Sequence, residues 1–250
     1  MKTIMITGGT SGVGKAIAKN LASIDGSEII LVGRNEKKAQ HATLEIQNLT
    51  GNHKISYLLA DLSDQKALQN VAKIFDDTHD QLDVLIHSAG VFPQTKKENI
   101  EVNLRSHYQL THALLPALSK SKNAQIFIIT GQPKAIQCGV ISEHQETLLQ
   151  RGLWLLTHKT LLVKWLAEEL NPTAITVNAL FAGDVKSDLM PWTQTLKNQD
   201  VSIAKPLITS AQYQGLTGQF FDQYGMVVKL SDEKYNATRA KQLLSEYINF

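Results

Sequence analysis

The sequence predicts an α/β protein, a doubly wound parallel sheet of about seven strands with helices on both faces. Short, almost continuously apolar runs alternate with longer amphipathic stretches, which is typical of parallel strands buried beneath helices. Of the 250 residues, 43% are hydrophobic, which is enough for a sizeable core. No linker, repeat or low-complexity segment interrupts the alternation. We therefore expect a single domain over residues 1–250.

Each predicted strand is a short run rich in β-branched and other apolar residues. The predicted strands cover residues 2–6, 28–32, 55–60, 83–86, 125–130, 174–180 and 218–221. Helices are expected between them, including one over 35–49 and one that begins after a cap at Ser63 or Asp64. Two stretches are less regular: the polar segment 132–151, and 187–217, which we expect to be irregular or a lobe of short helices over a substrate pocket.

A glycine-rich loop follows the first strand and leads directly into a helix. This geometry directs backbone N–H groups and the positive end of the helix dipole at one point, which suits a pyrophosphate. Gly8 permits the tight turn, Gly12 lets the backbone approach the ligand, and Gly14 lets helix and strand pack closely. The residues predicted to bind a dinucleotide here are Gly8, Thr10, Ser11, Gly12, Val13 and Gly14. The alternative is a structural turn with nothing bound.

Composition argues against several classes of function. The formal net charge is +2 with no basic run, so nothing favours nucleic acid or a membrane surface as a partner. Cys138 is the sole cysteine, which excludes a disulfide framework and a cysteine-based metal site. No apolar run approaches the ~20 residues of a membrane span, and a strand at residue 2 leaves no room for a signal peptide. We expect a cytoplasmic protein without a metal site.

The chain resembles the short-chain dehydrogenase/reductase family along nearly its whole length. The resemblance rests on Thr7-Gly8-x-x-x-Gly12-x-Gly14, on Asn103 within Val-Asn-Leu, and on the segment 175–187 after the sixth strand. Residues 87–90, His-Ser-Ala-Gly, stand where the family has Asn-Asn-Ala-Gly, and the tail 218–221 is similar to its retinol-dehydrogenase-like branch. The resemblance implies a Rossmann-type fold and an oxidoreductase that uses a nicotinamide cofactor on a small alcohol or carbonyl. It also implies a homo-oligomer, either a dimer or a tetramer.

The same resemblance assigns cofactor contacts beyond the glycine loop. Asp61 and Leu62 follow the third strand, where the family's carboxylate contacts adenine. Asp61 is equally consistent with a carboxylate that stabilises a helix N-terminus. The remaining contacts implied by the resemblance are Ser88, Ala89, Gly90, Val185 and Ser187. Of these, the last two would lie near the nicotinamide.

The residue after the second strand favours NADP over NAD. An acidic side chain there would bind the ribose 2′-hydroxyl, whereas an arginine suits a 2′-phosphate. This chain has Arg34, with Lys37 and Lys38 close by, and a guanidinium can hold a phosphate through two hydrogen bonds. A solvated surface arginine is the alternative.

The family's catalytic pattern is incomplete in this chain. In the family a tyrosine donates the proton, and a lysine four residues later on the same helix face lowers the tyrosine pKa. No Tyr-x-x-x-Lys occurs here. Counting back without gaps from residues 165–170 puts Gly152 at the tyrosine position and Leu156 at the lysine position. Lys159 has Leu155 four residues before it, and we expect it one turn beyond the pocket.

Two other members of the family's catalytic set have counterparts. Asn103 matches the family's asparagine, and Thr130 or Gly131 falls at the serine position, where a threonine hydroxyl could serve. Asn103 has an alternative role, because in this fold the asparagine also stabilises a bulge in its helix. Lys134 and His144 could replace the missing acid, although each is otherwise a solvated surface group.

Two functional hypotheses remain open at this point. The first is an enzyme with weak or atypical reductase activity that uses Asn103, Thr130 and a residue of the 132–151 segment. The second is a catalytically inactive NADP(H)-binding sensor or interaction protein. The group that faces the nicotinamide would discriminate between them, because an apolar wall cannot donate a proton.

Overall fold

The computed structural model describes residues 2–248 and contains one seven-stranded sheet. The strands are β1 (Thr3–Thr7), β2 (Glu28–Gly33), β3 (Ile55–Leu59), β4 (Val84–His87), β5 (Gln125–Ile129), β6 (Thr176–Leu180) and β7 (Phe220–Phe221). Their order across the sheet is β3-β2-β1-β4-β5-β6-β7, and every neighbouring pair is parallel. The predicted doubly wound fold is therefore confirmed. The order reverses between β1 and β4, which opens a crevice at their carboxyl ends, where such sheets bind ligands.

Helices cover both faces of this sheet. They are α1 (Gly12–Ala22), α2 (Glu36–Thr50), α3 (Gln65–Thr78), α4 (Lys96–Ile100), α5 (Ser106–Ala113), α6 (Leu115–Leu118), α7 (Pro133–Cys138), α8 (Leu148–Glu169), α9 (Ala204–Thr209) and α10 (Ala237–Ile248). Alternate residues of β1 serve opposite cores: Ile4 and Ile6 pack with α1, α2 and α9, whereas Met5 packs with α3, α5, α8 and α10. This division follows from the two-residue repeat of a strand.

Short polar side chains fix where the long helices begin. Asn35 accepts a hydrogen bond from the Lys38 N–H at the start of α2, and Asp64 rather than Ser63 caps α3. Thr147 and Gln150 form a reciprocal capping box at the start of α8. Each cap satisfies backbone donors that the first turn of a helix leaves unpaired.

The two irregular stretches each acquire short helices. Segment 187–217 contains a 3₁₀ turn at Pro191–Thr195, then α9, then a second 3₁₀ turn at Ala211–Tyr213. This confirms the expected lobe of short helices. Segment 132–151 begins with α7 and continues without regular structure to the start of α8 at Leu148. Among residues 2–248, no helix combines the length and apolar content that a bilayer-spanning segment needs.

Candidate functional site

The glycine loop has the geometry of a phosphate cradle. Gly8 and Gly12 adopt positive φ angles of 66° and 51°, which favour glycine. A Cβ on Gly8 would lie 2.8 Å from the Cα of Ala89, and one on Gly14 would overlap the carbonyl of Gly8. The Ser11 side chain makes no capping hydrogen bond, so the first turn of α1 retains unpaired N–H donors. The loop therefore packs closely against its neighbours and presents unpaired N–H donors, an arrangement that fits a dinucleotide pyrophosphate.

An open cleft of about 190 Å³ lies over the start of α1. It is lined by Ser11, Gly12, Lys15, Ala16, Lys19, Lys186, Ser187, Asp188 and Gln199. A Cβ on Gly12 would lie 2.8 Å from the Cβ of Ser187, so the loop after β6 crosses directly over the glycine loop. Val185 is buried, and the Ser187 hydroxyl donates to the Thr193 hydroxyl at 2.9 Å. The structure thus brings Ser187 onto the cradle, whereas Val185 lies in the core beside it.

Arg34 lies exposed at the end of β2, beside the cradle. The Thr10 hydroxyl lies 2.8 Å from where a Cβ on Gly33 would stand, so the glycine loop touches the residue before Arg34. Asp61 is close enough for the Arg34 charge to lower its pKa, although the hydrogen bonds from the N–H and hydroxyl of Ser63 are the larger causes. The Oδ1 of Asp61 accepts both of those bonds, at 2.9 and 2.7 Å.

The loop after β4 forms the second wall of the crevice. The N–H of Ala89 donates to the Thr7 hydroxyl at 3.2 Å, which joins this loop to the end of β1. The hydroxyl of Ser88 is buried and has no hydrogen-bond partner among the described residues. A buried, unpaired hydroxyl at this edge is what a bound ligand would satisfy.

Asn103 lies in a five-residue π turn, Glu101–Arg105, and serves the backbone around it. Its Nδ2 donates to the Val91 carbonyl at 3.0 Å and to the Asn99 Oδ1 at 2.9 Å, and its Oδ1 accepts from the Val91 N–H at 2.9 Å. Both amide hydrogens are therefore engaged. The contacts match the bulge-stabilising role that the sequence left open.

A lysine does reach the carboxyl ends of the strands, but it is Lys159 and not the residue at position 156. Its Nζ lies 3.4 Å from the Ile129 carbonyl of β5 and 3.7 Å from where a Cβ on Gly90 would stand. The expectation that Lys159 lies one turn beyond the pocket is therefore wrong. At Gly152, in contrast, a Cβ would meet nothing within 4 Å, so that position is open. The lysine that reaches the strand ends is therefore three residues beyond Leu156, the position that the gap-free count gave.

Burial explains the unusual chemistry of Lys159. Only 7% of the residue is exposed, and burial lowers the pKa of its ammonium to about 8. His87 and His107 stack nearby with ring centroids 4.9 Å apart. Burial, and then the Lys159 charge, lowers the pKa of His87 to about 3 and that of His107 well below its usual range. Both imidazoles are thus neutral at pH 7, and Lys159 is the cation of this cluster.

Thr130 and Gly131 directly follow β5 and differ in the contacts that they offer. The Thr130 hydroxyl is buried and has no hydrogen-bond partner among the described residues. A Cβ on Gly131 would overlap the Leu156 side chain, so Leu156 packs directly over that position. Trp154, in contrast, is buried in the core on the α10 side. The site therefore combines one free hydroxyl, one ammonium and one leucine wall.

The segment before α8 holds contacts that the sequence did not reveal. Glu143 accepts hydrogen bonds from His158 on α8, at 3.1 Å, and from the hydroxyl of Tyr247 on α10. Gln145 accepts from the Asn99 Nδ2 at 2.9 Å, and Asn99 in turn contacts Asn103. Glu143 and Gln145 are each at least 15 residues from these partners, so no local pattern could indicate their contacts.

The other candidates of this segment lie on the surface. Lys134, Cys138 and His144 are exposed, and His144 pairs with Glu146 at 3.5 Å. Within the described part of the chain, none of the three forms a hydrogen bond or ion pair with Lys159, Thr130 or the glycine loop. Among residues 2–248, no group of three or more histidine, cysteine, aspartate or glutamate side chains is placed to hold a metal ion.

A family model described as short chain dehydrogenase matches residues 2–135, just over half of the chain. The chain belongs to the short-chain dehydrogenase family. Retinol dehydrogenase 11 from Homo sapiens is 33% identical over 202 residues, which cover 76% of this chain and 63% of that protein. Polyprenol dehydrogenase from Homo sapiens is 34% identical over 127 residues, 48% of this chain and 38% of that protein. The chain therefore spans less than two thirds of the length of these curated relatives.

Solved structures of short-chain dehydrogenases share the fold at low identity. One from Shigella flexneri, complexed with NADP, has a TM-score of 0.75 and 22% identity, covering 89% of this chain and 97% of its own. One from Escherichia coli, complexed with NADPH, has a TM-score of 0.74 and 23% identity, covering 89% and 96%. Leu155 stands four residues before Lys159, so the tyrosine–lysine spacing of the family does not occur at this lysine.

Proposed function

We propose that the protein is an NADP(H)-dependent oxidoreductase that acts on a small alcohol or carbonyl, with an activity that is atypical because the family's tyrosine is missing. One observation carries the proposal. The Lys159 ammonium and the unpaired Thr130 hydroxyl lie together at the end of β5, beside the glycine cradle. Carbonyl reduction needs a proton donor next to the substrate oxygen, and this site retains groups that can hold a proton.

The residues that would hold the cofactor are those of the crevice. The N–H groups at the start of α1 would bind the pyrophosphate, and Arg34 would bind the 2′-phosphate that distinguishes NADP from NAD. When bound, the nicotinamide would supply or accept a hydride. Ser88 and Thr130 have buried hydroxyls free to hydrogen-bond a ligand, and the loop at Ser187 would limit the access of water.

Calorimetric titration with NADPH and NADH tests the cofactor assignment directly. We expect NADPH to bind more tightly than NADH, and Arg34→Ala to remove that preference. Arg239→Ala is the matched control, because Arg239 is an exposed arginine on α10 and is not among the predicted cofactor contacts. The absence of binding to either cofactor would refute the proposal.

Turnover is tested separately, by loss of NADPH absorbance in the presence of a panel of small aldehydes and ketones. We expect measurable but slow reduction, since loss of a general acid costs about 10²–10⁴-fold. A specific observation favours a second candidate function, an inactive NADP(H)-binding sensor or interaction protein: Leu156 packs over Gly131 at the strand end. Tight NADPH binding with no turnover of any carbonyl would establish that alternative.

A further inference from the structure

Lys159 is a buried cation without an acidic partner. Its ammonium can donate three hydrogen bonds. Among residues 2–248 it donates one long bond, from Nζ to the Ile129 carbonyl at 3.4 Å. No aspartate or glutamate of that range lies within ion-pair distance of the Nζ, although ten other pairs in the same range do form. Burying an unpaired charge is costly, and buried lysines in proteins are mostly paired. The fold therefore holds an ammonium with N–H bonds left to donate.

The surroundings of Lys159 leave it as the proton donor of the crevice. His87, at the end of β4, and His107, on α5, are close enough to Lys159 for its charge to add to burial in lowering their pKa values. Both imidazoles are therefore neutral at pH 7. Leu155 and Leu156, one turn earlier on α8, have no proton to give. The Thr130 and Ser88 hydroxyls can hydrogen-bond an oxygen but do not ionise near neutral pH.

We propose that Lys159 is itself the acid–base catalyst of this site and exchanges a proton directly with the substrate oxygen, a task that the family gives to tyrosine. This rests on the proposed function. In the reduction, a Nζ–H bond breaks, an O–H bond forms and the lysine is left neutral. The carbonyl carbon gains a hydride, with its two electrons, from the reduced nicotinamide dinucleotide. The amine then recovers a proton from water, and oxidation of an alcohol reverses each of these transfers.

The decisive test separates the proton of Lys159 from its charge. Lys159→Ala should reduce NADPH-dependent carbonyl turnover about 10²–10⁴-fold. Added ethylammonium, which has N–H bonds, should restore part of the lost rate. Tetramethylammonium has the same charge and no N–H bond, and should restore nothing. Lys164→Ala is the matched control on α8, because Lys164 donates to the Gly218 carbonyl at 2.7 Å at the β7 side, away from the crevice.

A second variant and a binding measurement guard against misfolding. Lys159→Arg keeps the charge but holds its proton too strongly to donate it at neutral pH, so turnover should fall about as far as in the alanine variant. NADPH affinity, from fluorescence titration, should change less than about tenfold, since the cradle is intact. In the unmodified protein, reduction should slow as the pH rises through about 8, and alcohol oxidation should accelerate.

The outcomes distinguish this inference from the proposed function. Rescue by tetramethylammonium as effective as rescue by ethylammonium would overturn it, because the charge alone would then matter. Retention of more than about a tenth of the turnover in Lys159→Arg would also overturn it, as would a reduction rate that stays level from pH 7 to pH 9. Each of these three results leaves the oxidoreductase proposal standing. If the unmodified protein binds NADPH but reduces no carbonyl, both fall together.

Discussion

Replacing Lys159 by methionine should make the protein more stable at neutral pH. Burial lowers the lysine pKa from 10.5 to about 8, and each pKa unit corresponds to 1.36 kcal/mol, so keeping the ammonium protonated costs the native state about 3 kcal/mol at pH 7. The methionine side chain fills most of the same space. Loss of the hydrogen bond to Ile129 and of some packing offsets about 1 kcal/mol. The net expected gain for Lys159→Met is about 2 kcal/mol.

The sign of the pH dependence follows from the direction of the pKa change. Between pH 8 and pH 10.5 the unfolded lysine binds more protons than the native one, so the unmodified protein gains stability as the pH rises through that window. Above pH 10.5 the penalty is gone. The advantage of Lys159→Met should therefore shrink across this window and end slightly reversed.

Urea unfolding of both proteins at a series of pH values measures this difference. A gain of about 2 kcal/mol corresponds to a rise of about 5 °C in Tm for a chain of this size. Lys164→Met, on the same helix, should have the opposite sign at pH 7, because it gives up a 2.7 Å hydrogen bond to Gly218. If Lys159→Met were less stable than the unmodified protein at pH 7, the ammonium would have a partner, and the reasoning would be refuted.

Four further predictions concern the cofactor, the scaffold and the missing tyrosine. Arg34→Ala should weaken NADPH binding about 10-fold or more, with NADH binding nearly unchanged, by titration calorimetry. Asn103→Leu should lower the free energy of unfolding by about 3 kcal/mol, because buried backbone groups lose their partners. Burial alone would raise the pKa of Glu143, but hydrogen bonds from His158 and Tyr247 lower it to about 2. The free energy of unfolding should therefore decrease as the pH falls from about 4.5 toward 2, and urea unfolding should show a smaller decrease in Glu143→Gln. Leu155→Tyr should raise carbonyl turnover at least about tenfold by creating the family's spacing to Lys159.

The sheet and the cradle were predictable because local rules determine them. Parallel strands buried on both faces read as apolar runs, and a loop that must curve tightly under a helix needs glycine at Gly8, Gly12 and Gly14. The alternative role for Asn103 could also be anticipated, because the resemblance to the family places this asparagine at a bulge in its helix. These features depend on residues that are close in sequence.

The position of Lys159 at the strand ends was not predictable in the same way. The family's pattern is a tyrosine four residues before a lysine, and Lys159 has a leucine there, so no local pattern marks it. The contacts made by Glu143 and Gln145 join a loop to helices far along the chain, so their partners appear only once the fold brings them together. Long-range packing, rather than local propensity, decides such contacts.

The widened turn at Glu101–Arg105 amounts to one residue inserted into an otherwise regular helix. The widened turn absorbs that residue, so the helix beyond it keeps Leu110 in the core and His107 stacked on His87. Deleting one residue there would close the turn into the ordinary repeat of 3.6 residues and remove the geometry in which Asn103 reaches both backbone groups of Val91. The cost of such a deletion should therefore fall on the loop at Val91 rather than on the packing of α5.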